Sequence, residues 1–177
     1  MLGRLDLDLF SPDAAESARW TAGELANDAR DLLETLRPEG KRAGVALFHA
    51  SARDAIWEYV MTEDVAAESL VCSPETLTLV GHSHLALEFS LTGPVVRGSL
   101  APEGTELELD GPDRRLLNPG SVGQPRDGDP RAAYLVLDLD ARRATFRRVP
   151  YPVERTQAEI RERGLPESLA ARLEHGL

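Results

Sequence analysis

The chain has 177 residues, 42% hydrophobic and 28% charged, with a formal net charge of −10, an ordinary composition for one globular domain with a real core. The acidic balance excludes a broad nucleic-acid surface, which needs a basic stripe, but leaves room for a local cationic pocket that takes one small phosphate. A single cysteine, Cys72, excludes an intrachain disulfide. Together with the lack of any long apolar run, this points to a cytoplasmic protein with no membrane partner.

In chain order, residues 5–10 alternate leucine and aspartate without a preceding element to pair with. Ser11-Pro12-Asp13 is a helix start: a Ser cap, proline at the first helical position and an acid in the first turn. Residues 14–25 continue that helix, with Ala18, Trp20 and Leu25 as buried positions. Asn27 caps a second helix through Leu36, where Leu32, Leu33 and Leu36 make an apolar stripe, and Pro38-Glu39-Gly40 breaks it. Residues 43–48 are nearly continuous apolar sequence, which predicts a strand buried on both faces and ending at His49. After a loop over 50–54, residues 56–60 predict a short helix or strand, and 63–70 a helix bearing Cys72 beyond its end as a small buried hydrophobe.

The alternation in Thr76-Leu77-Thr78-Leu79-Val80 predicts another strand. It ends in Gly81-His82-Ser83-His84, where the glycine is expected to supply a backbone conformation that other residues avoid. Residues 86–91, 95–100 and 105–109 predict short antiparallel strands between Gly-Pro and Pro-Glu-Gly turns. A turn-dense loop over 118–126 follows, then a hairpin of 132–139 with 144–149, then amphipathic helices at 153–163 and 166–173. The order predicts an α/β (α+β) fold, two packed sheets with helices outside, in a single domain over residues 1–177.

Three of the four histidines, His49, His82 and His84, sit at strand ends, where open α/β sheets place their ligands. Two imidazoles spaced i, i+2 can aim into one pocket, and this is a metal-ligand pattern. Beside these motifs lie Arg53 and Arg126, each able to offer a fork of donors to a phosphate or else to pair with an acid. Asn118 and Ser121 are expected to brace their loop through side-chain-to-backbone bonds.

Three segments carry a resemblance to the calcineurin-like metallophosphoesterases, especially the small bacterial phosphodiesterase-type members. The strand ending in His49-Ala50 resembles the family's strand ending in His-Gly, with alanine in place of the glycine. Gly81-His82-Ser83-His84 matches the family's Gly-His-x-His. The run Asn118-Pro119-Gly120-Ser121-Val122-Gly123-Gln124-Pro125-Arg126 is similar to the family's long Asn-Pro-Gly-Ser loop. The resemblance implies part of a four-layer α-β-β-α sandwich with mixed sheets, hydrolysing phosphodiesters or phosphomonoesters. It also implies two divalent metal ions (Mn, Fe, Zn or Ni), with His49 and His82 on one and His84 on the other.

The family's Asp-x-His, Gly-Asp-x-x-Asp and Gly-Asn-His-Asp motifs have no counterpart in the sequence. The chain is therefore expected to correspond to the C-terminal portion, lacking an N-terminal βαβ portion, and to hold at most one weakly bound ion. Two divalent ions about 3.7 Å apart repel by roughly 18 kcal/mol at an effective dielectric of 20, which neutral imidazoles do not offset. Asp54, Glu58 and Asp127 are the acids nearest these motifs in sequence. The expected partners are a small phosphorylated substrate and either an N-terminal half or a second copy associating along an uncovered edge or face of the 45–48 strand or of the strand from Thr76. The contrasting expectations are a non-catalytic interaction subunit and a single-metal binding module.

Overall fold

The computed structural model describes residues 2–177. They divide into two compact units, one made of the stretch through Arg37 with Pro152–His175, the other of Pro38–Tyr151 with Gly176–Leu177.

The larger unit contains both sheets. In chain order its elements are β1 (Glu39–Arg42), β2 (Val45–Phe48), α3 (Glu63–Cys72), β3 (Leu77–Leu79), β4 (Ala86–Thr92), β5 (Val95–Leu100), β6 (Glu106–Glu108), β7 (Arg114–Pro119), β8 (Ala132–Asp138) and β9 (Arg143–Val149). Six strands make a mixed sheet in the order β1-β2-β3-β7-β4-β5, and three make an antiparallel sheet in the order β6-β9-β8.

Alternate side chains of the mixed sheet serve two cores. Val80, Leu87, Phe89 and Leu116 pack with Ala66 and Leu70 of α3. Leu77, Leu79, Ala86 and Leu117 pack instead with Ala144, Phe146, Leu135 and Leu137 of the second sheet. A strand with neighbours on both faces must be apolar on both, and adjacent Leu116 and Leu117 of β7, both fully buried, meet that demand. The result is an α–β–β layering, the mixed α+β architecture expected from the sequence.

Several local expectations are corrected. The strand at residues 43–48 is shorter, because Ala43 and Gly44 (φ 51° and 78°) form a two-residue turn that pairs β1 with β2. β1 thus covers the edge of β2 with a wholly exposed Glu-Gly-Lys-Arg strand. Residues 56–60 form neither helix nor strand: Asp54 Oδ1 accepts the N–H groups of Ile56 (2.9 Å) and Trp57 (3.0 Å), holding a turn instead. Cys72 ends α3 on its outer side and is exposed.

The smaller unit is helical: α1 (Pro12–Glu24), α2 (Asn27–Thr35), α4 (Val153–Glu162) and α5 (Glu167–Ala171), with 3-10 turns at Leu7–Leu9 and Arg172–His175. The Ser11 hydroxyl and Pro12 start α1 as expected. The leucine stripe of α2 is not a buried face, since Leu32 and Leu36 are 62% and 55% exposed. Ala18, Trp20 and Leu25 are half-buried rather than core, with the Arg163 guanidinium 5.9 Å above the Trp20 ring. No helix among the described residues is long and apolar enough to cross a membrane.

Candidate metal and phosphate site

Parallel pairing places the three motifs at one end of the mixed sheet. Leu47 of β2, Leu79 of β3 and Leu117 of β7 lie side by side on parallel strands. His49, Gly81-His82-Ser83-His84 and the 118–126 loop therefore leave the sheet together, at its carboxyl end.

His49 is fixed through its backbone, its N–H bonding to the Pro38 carbonyl (2.7 Å) and its carbonyl accepting from Gly81 N–H (3.0 Å). That second bond explains the glycine differently from the sequence expectation. Gly81 has no positive φ, and a Cβ there would meet the His49 carbonyl oxygen at 3.3 Å, so close approach is what requires it. The left-handed backbone falls instead on His82 (φ 60°) and His84 (φ 61°). Non-glycine residues adopt it at a cost, and such outliers cluster at functional sites.

The rings of His49 and His82 meet at this turn. His49 Nε2 and His82 Nδ1 are 3.0 Å apart, with ring centroids separated by 4.8 Å. Tyr59 stacks on the other side of His82 at 4.1 Å and 18°. Burial pushes the His82 imidazole below its ordinary range, and His49 adds to this, as His84 and Arg126 do more weakly. Partial burial pushes His49 down too. Both rings are thus biased toward the neutral, lone-pair-bearing form that binds metal. His82 Nε2 is buried without a hydrogen-bond partner. The Trp57 backbone pulls toward a proton on that ring, but without hydrogen-bond geometry.

His84 is held by the 118–126 loop. Its Nδ1 donates to the Gln124 carbonyl (2.8 Å), which puts the ring's lone pair on Nε2, and its own carbonyl accepts from Arg126 N–H (3.2 Å). Asn118, fully buried, braces the histidine turn. Its Nδ2 donates to the Gly81 carbonyl (2.7 Å) and Ser83 Oγ (2.9 Å), and its Oδ1 accepts from Gly120 N–H (3.0 Å). Ser121 Oγ accepts from Gln124 N–H at 2.9 Å.

The arginines differ. Arg53 is engaged by Glu58 and Glu68, whereas Arg126 bonds Gln124 Oε1 (2.9 Å) and has a buried Nε with no partner. The nearby acids are also committed: Asp54 to backbone N–H groups, Glu58 to Arg53 and Ser51, and Asp127 to Arg148 and the Ala86 N–H. Among the described residues no three His, Cys, Asp or Glu side chains converge as a metal-holding group. The paired rings still fit one ion: nitrogens each about 2.1 Å from a shared metal lie no more than about 4.2 Å apart, and 3.0 Å is within that. Tyr59, Arg148 and the Gln124 carbonyl were not singled out by sequence reasoning. Only Tyr59 left a trace, in the alternation Trp57-x-Tyr59-x-Met61.

A mixed sheet packed on an antiparallel sheet, with histidine-bearing loops at the carboxyl end, defines the calcineurin-like α+β class. The chain belongs to the metallophosphoesterase superfamily. It superposes on a metallophosphoesterase from Sphaerobacter thermophilus with a TM-score of 0.86 and 39% identity, over 99% of this chain and 72% of that one. It is 33% identical over 180 residues to an uncharacterized protein of Methanocaldococcus jannaschii, covering 98% of this chain and 70% of the relative. A hypothetical protein from Pyrococcus horikoshii shares the fold alone, with a TM-score of 0.74 at 16% identity over 68% of its length. No family model matches the sequence.

Proposed function

We propose that the histidine cluster is part of the active centre of a metal-dependent phosphoesterase acting on small phosphate mono- or diesters. The observation that carries this reading is the 3.0 Å approach of His49 Nε2 to His82 Nδ1, in a turn where His82 and His84 both have left-handed backbones. His49 and His82 would hold one divalent ion, and His84, through Nε2, would serve a second. Such ions polarise a phosphoryl oxygen and lower the pKa of a bound water. Arg126, beside His84, would be the arginine that orients a phosphate; this is supported by Arg53 being already neutralised by two carboxylates. With every nearby acid committed, a single weakly held Mn, Fe, Zn or Ni ion is the expected load of this chain. The lone, exposed cysteine suits a reducing cytoplasm.

The test is calorimetric titration of the 177-residue chain with Mn²⁺ and Zn²⁺, followed by assays with p-nitrophenyl phosphate and its bis-ester. One saturable site, lost in His82→Ala, is expected, with little turnover by this chain alone. Absence of saturable binding, or binding indifferent to His82→Ala, would overturn the reading. Brisk metal-dependent turnover lost in His82→Ala would support the phosphoesterase and show that Asp54, Glu58 or Asp127 completes the site.

A further inference from the structure

An open groove of about 550 Å³ runs from the His84 segment along α3 and β4–β5. Its apolar lining includes Met61, Leu85, Phe89 and Leu100. Phe89 can lie there because Gly98 has no side chain: a Cβ would fall 2.0 Å from the Phe89 ring. One wall continues toward the histidines, since Trp57, Tyr59 and Met61 alternate along one segment and are each exposed, and Tyr59 stacks on His82.

Two polar atoms distinguish this groove from a bare apolar face. Arg126 and Asp127 both line it, and Arg126 Nε and Asp127 Oδ1 are buried without hydrogen-bond partners. The Asp127 side chain is only 4% exposed. Leaving both atoms unpaired is costly, so a ligand that supplies an acceptor to one and a donor to the other would be favoured. Asp127 disfavours an anion at this point and Arg126 a cation, so the group that fits both is an uncharged one carrying an acceptor and a donor. Apolar walls with one donor and one acceptor on adjacent residues suit a planar heteroaromatic ring.

We propose that this groove binds the organic part of the substrate, and that this part is a nucleoside, with its phosphate directed at the histidines. The inference rests on the phosphoesterase reading and names its substrate class. An alkyl group would satisfy the walls but neither polar atom.

The test needs neither metal nor turnover, so its failure is separable from failure of the phosphoesterase reading. The chain has two methionines, one of them Met61, and a methyl-labelled sample gives a Met61 signal assigned by its loss in Met61→Leu. Adenosine is expected to shift this signal saturably, and inorganic phosphate is not. Arg126→Met, which removes the donor, and Leu100→Glu, which charges a wall, should each weaken adenosine by about tenfold or more. No saturable shift up to about 10 mM adenosine, or a shift unaffected by both substitutions, would overturn the proposal. So would a Met61 signal that moves only with protein concentration, which would mean a second copy covers the groove.

Discussion

Protonating His49 or His82 works against the fold, and the sign of the pH effect follows. Both rings are pushed below 6.5 by burial, so between the folded pKa and 6.5 the unfolded chain binds more protons, and stability falls as pH drops through that window. The melting temperature should decline as pH falls through 6.5 and below, before the carboxylates begin to titrate. His82→Asn should flatten that decline while leaving the acid-side loss, to which Asp54 and Glu58 contribute, in place. An unchanged slope in His82→Asn, measured by thermal melts across that range, would refute the account. Asn118 sets the same turn by geometry alone. Asn118→Asp would face the Gly81 carbonyl, now bonded at 2.7 Å, with an acceptor in place of its donor. We expect a loss of about 2–3 kcal/mol in urea denaturation and a widened His49–His82 separation in a structure of the variant.

The loop over 118–127 behaves as an element because a buried ion pair anchors its end. The side chains of Arg148 and Asp127 are 6% and 4% exposed, and Asp127 Oδ2 also takes the Ala86 N–H at 3.2 Å. Arg148 further donates to the Asp129 carbonyl at 3.2 Å. Arg148→Met would leave a carboxylate buried without its cation, at a cost of about 3–5 kcal/mol, and adding Asp127→Asn should recover much of it. Chemical denaturation of the single and double variants measures both. No trace of this pair was readable in the sequence, because residues 127 and 148 become neighbours only when β9 folds back beside the loop. What was legible had local chemistry behind it: the apolar runs at 45–48 and 76–80, the Gly-Pro turn, and the Ser11-Pro12 cap. β1 is not legible because Glu-Gly-Lys-Arg has no alternation, and its turn, Ala43-Gly44, lacks the usual Asn-Gly or Asp-Gly signal. The need for glycine at Gly81 is not local, since its tight approach is to a carbonyl 32 positions earlier, at His49. The histidine cluster was legible as residue types at strand ends. Its left-handed backbone was not, because sequence alone favours glycine at positive φ.

At the scale of the whole molecule, charge and strand edges decide how copies of the chain meet. The edge of β2 that seemed open to a partner is covered by β1, whose charged, fully exposed residues discourage further pairing. The opposite edge of the mixed sheet is β5, with Val95 and Leu100 at 48% and 54% exposure and a single charged residue, Arg97. That edge, apolar apart from Arg97 and the Glu63 carboxylate that takes the Gly98 N–H (3.1 Å), is the one on which a second copy would dock. Against it stands a net charge of −10, which repels like copies over a Debye length of about 10 Å at 0.1 M salt. The balance should tip with ionic strength. At about 0.05 M salt the chain should run as a monomer, and at about 0.5 M, where the repulsion is screened, its weight-average mass should rise with concentration. Val95→Lys adds a charge to the β5 edge without touching the core, and should restore the monomer at high salt. Light scattering coupled to size exclusion measures all three conditions. A mass that ignores salt in the parent chain, or a salt-driven rise that Val95→Lys leaves intact, would mean that the β5 edge is not where copies of this chain associate.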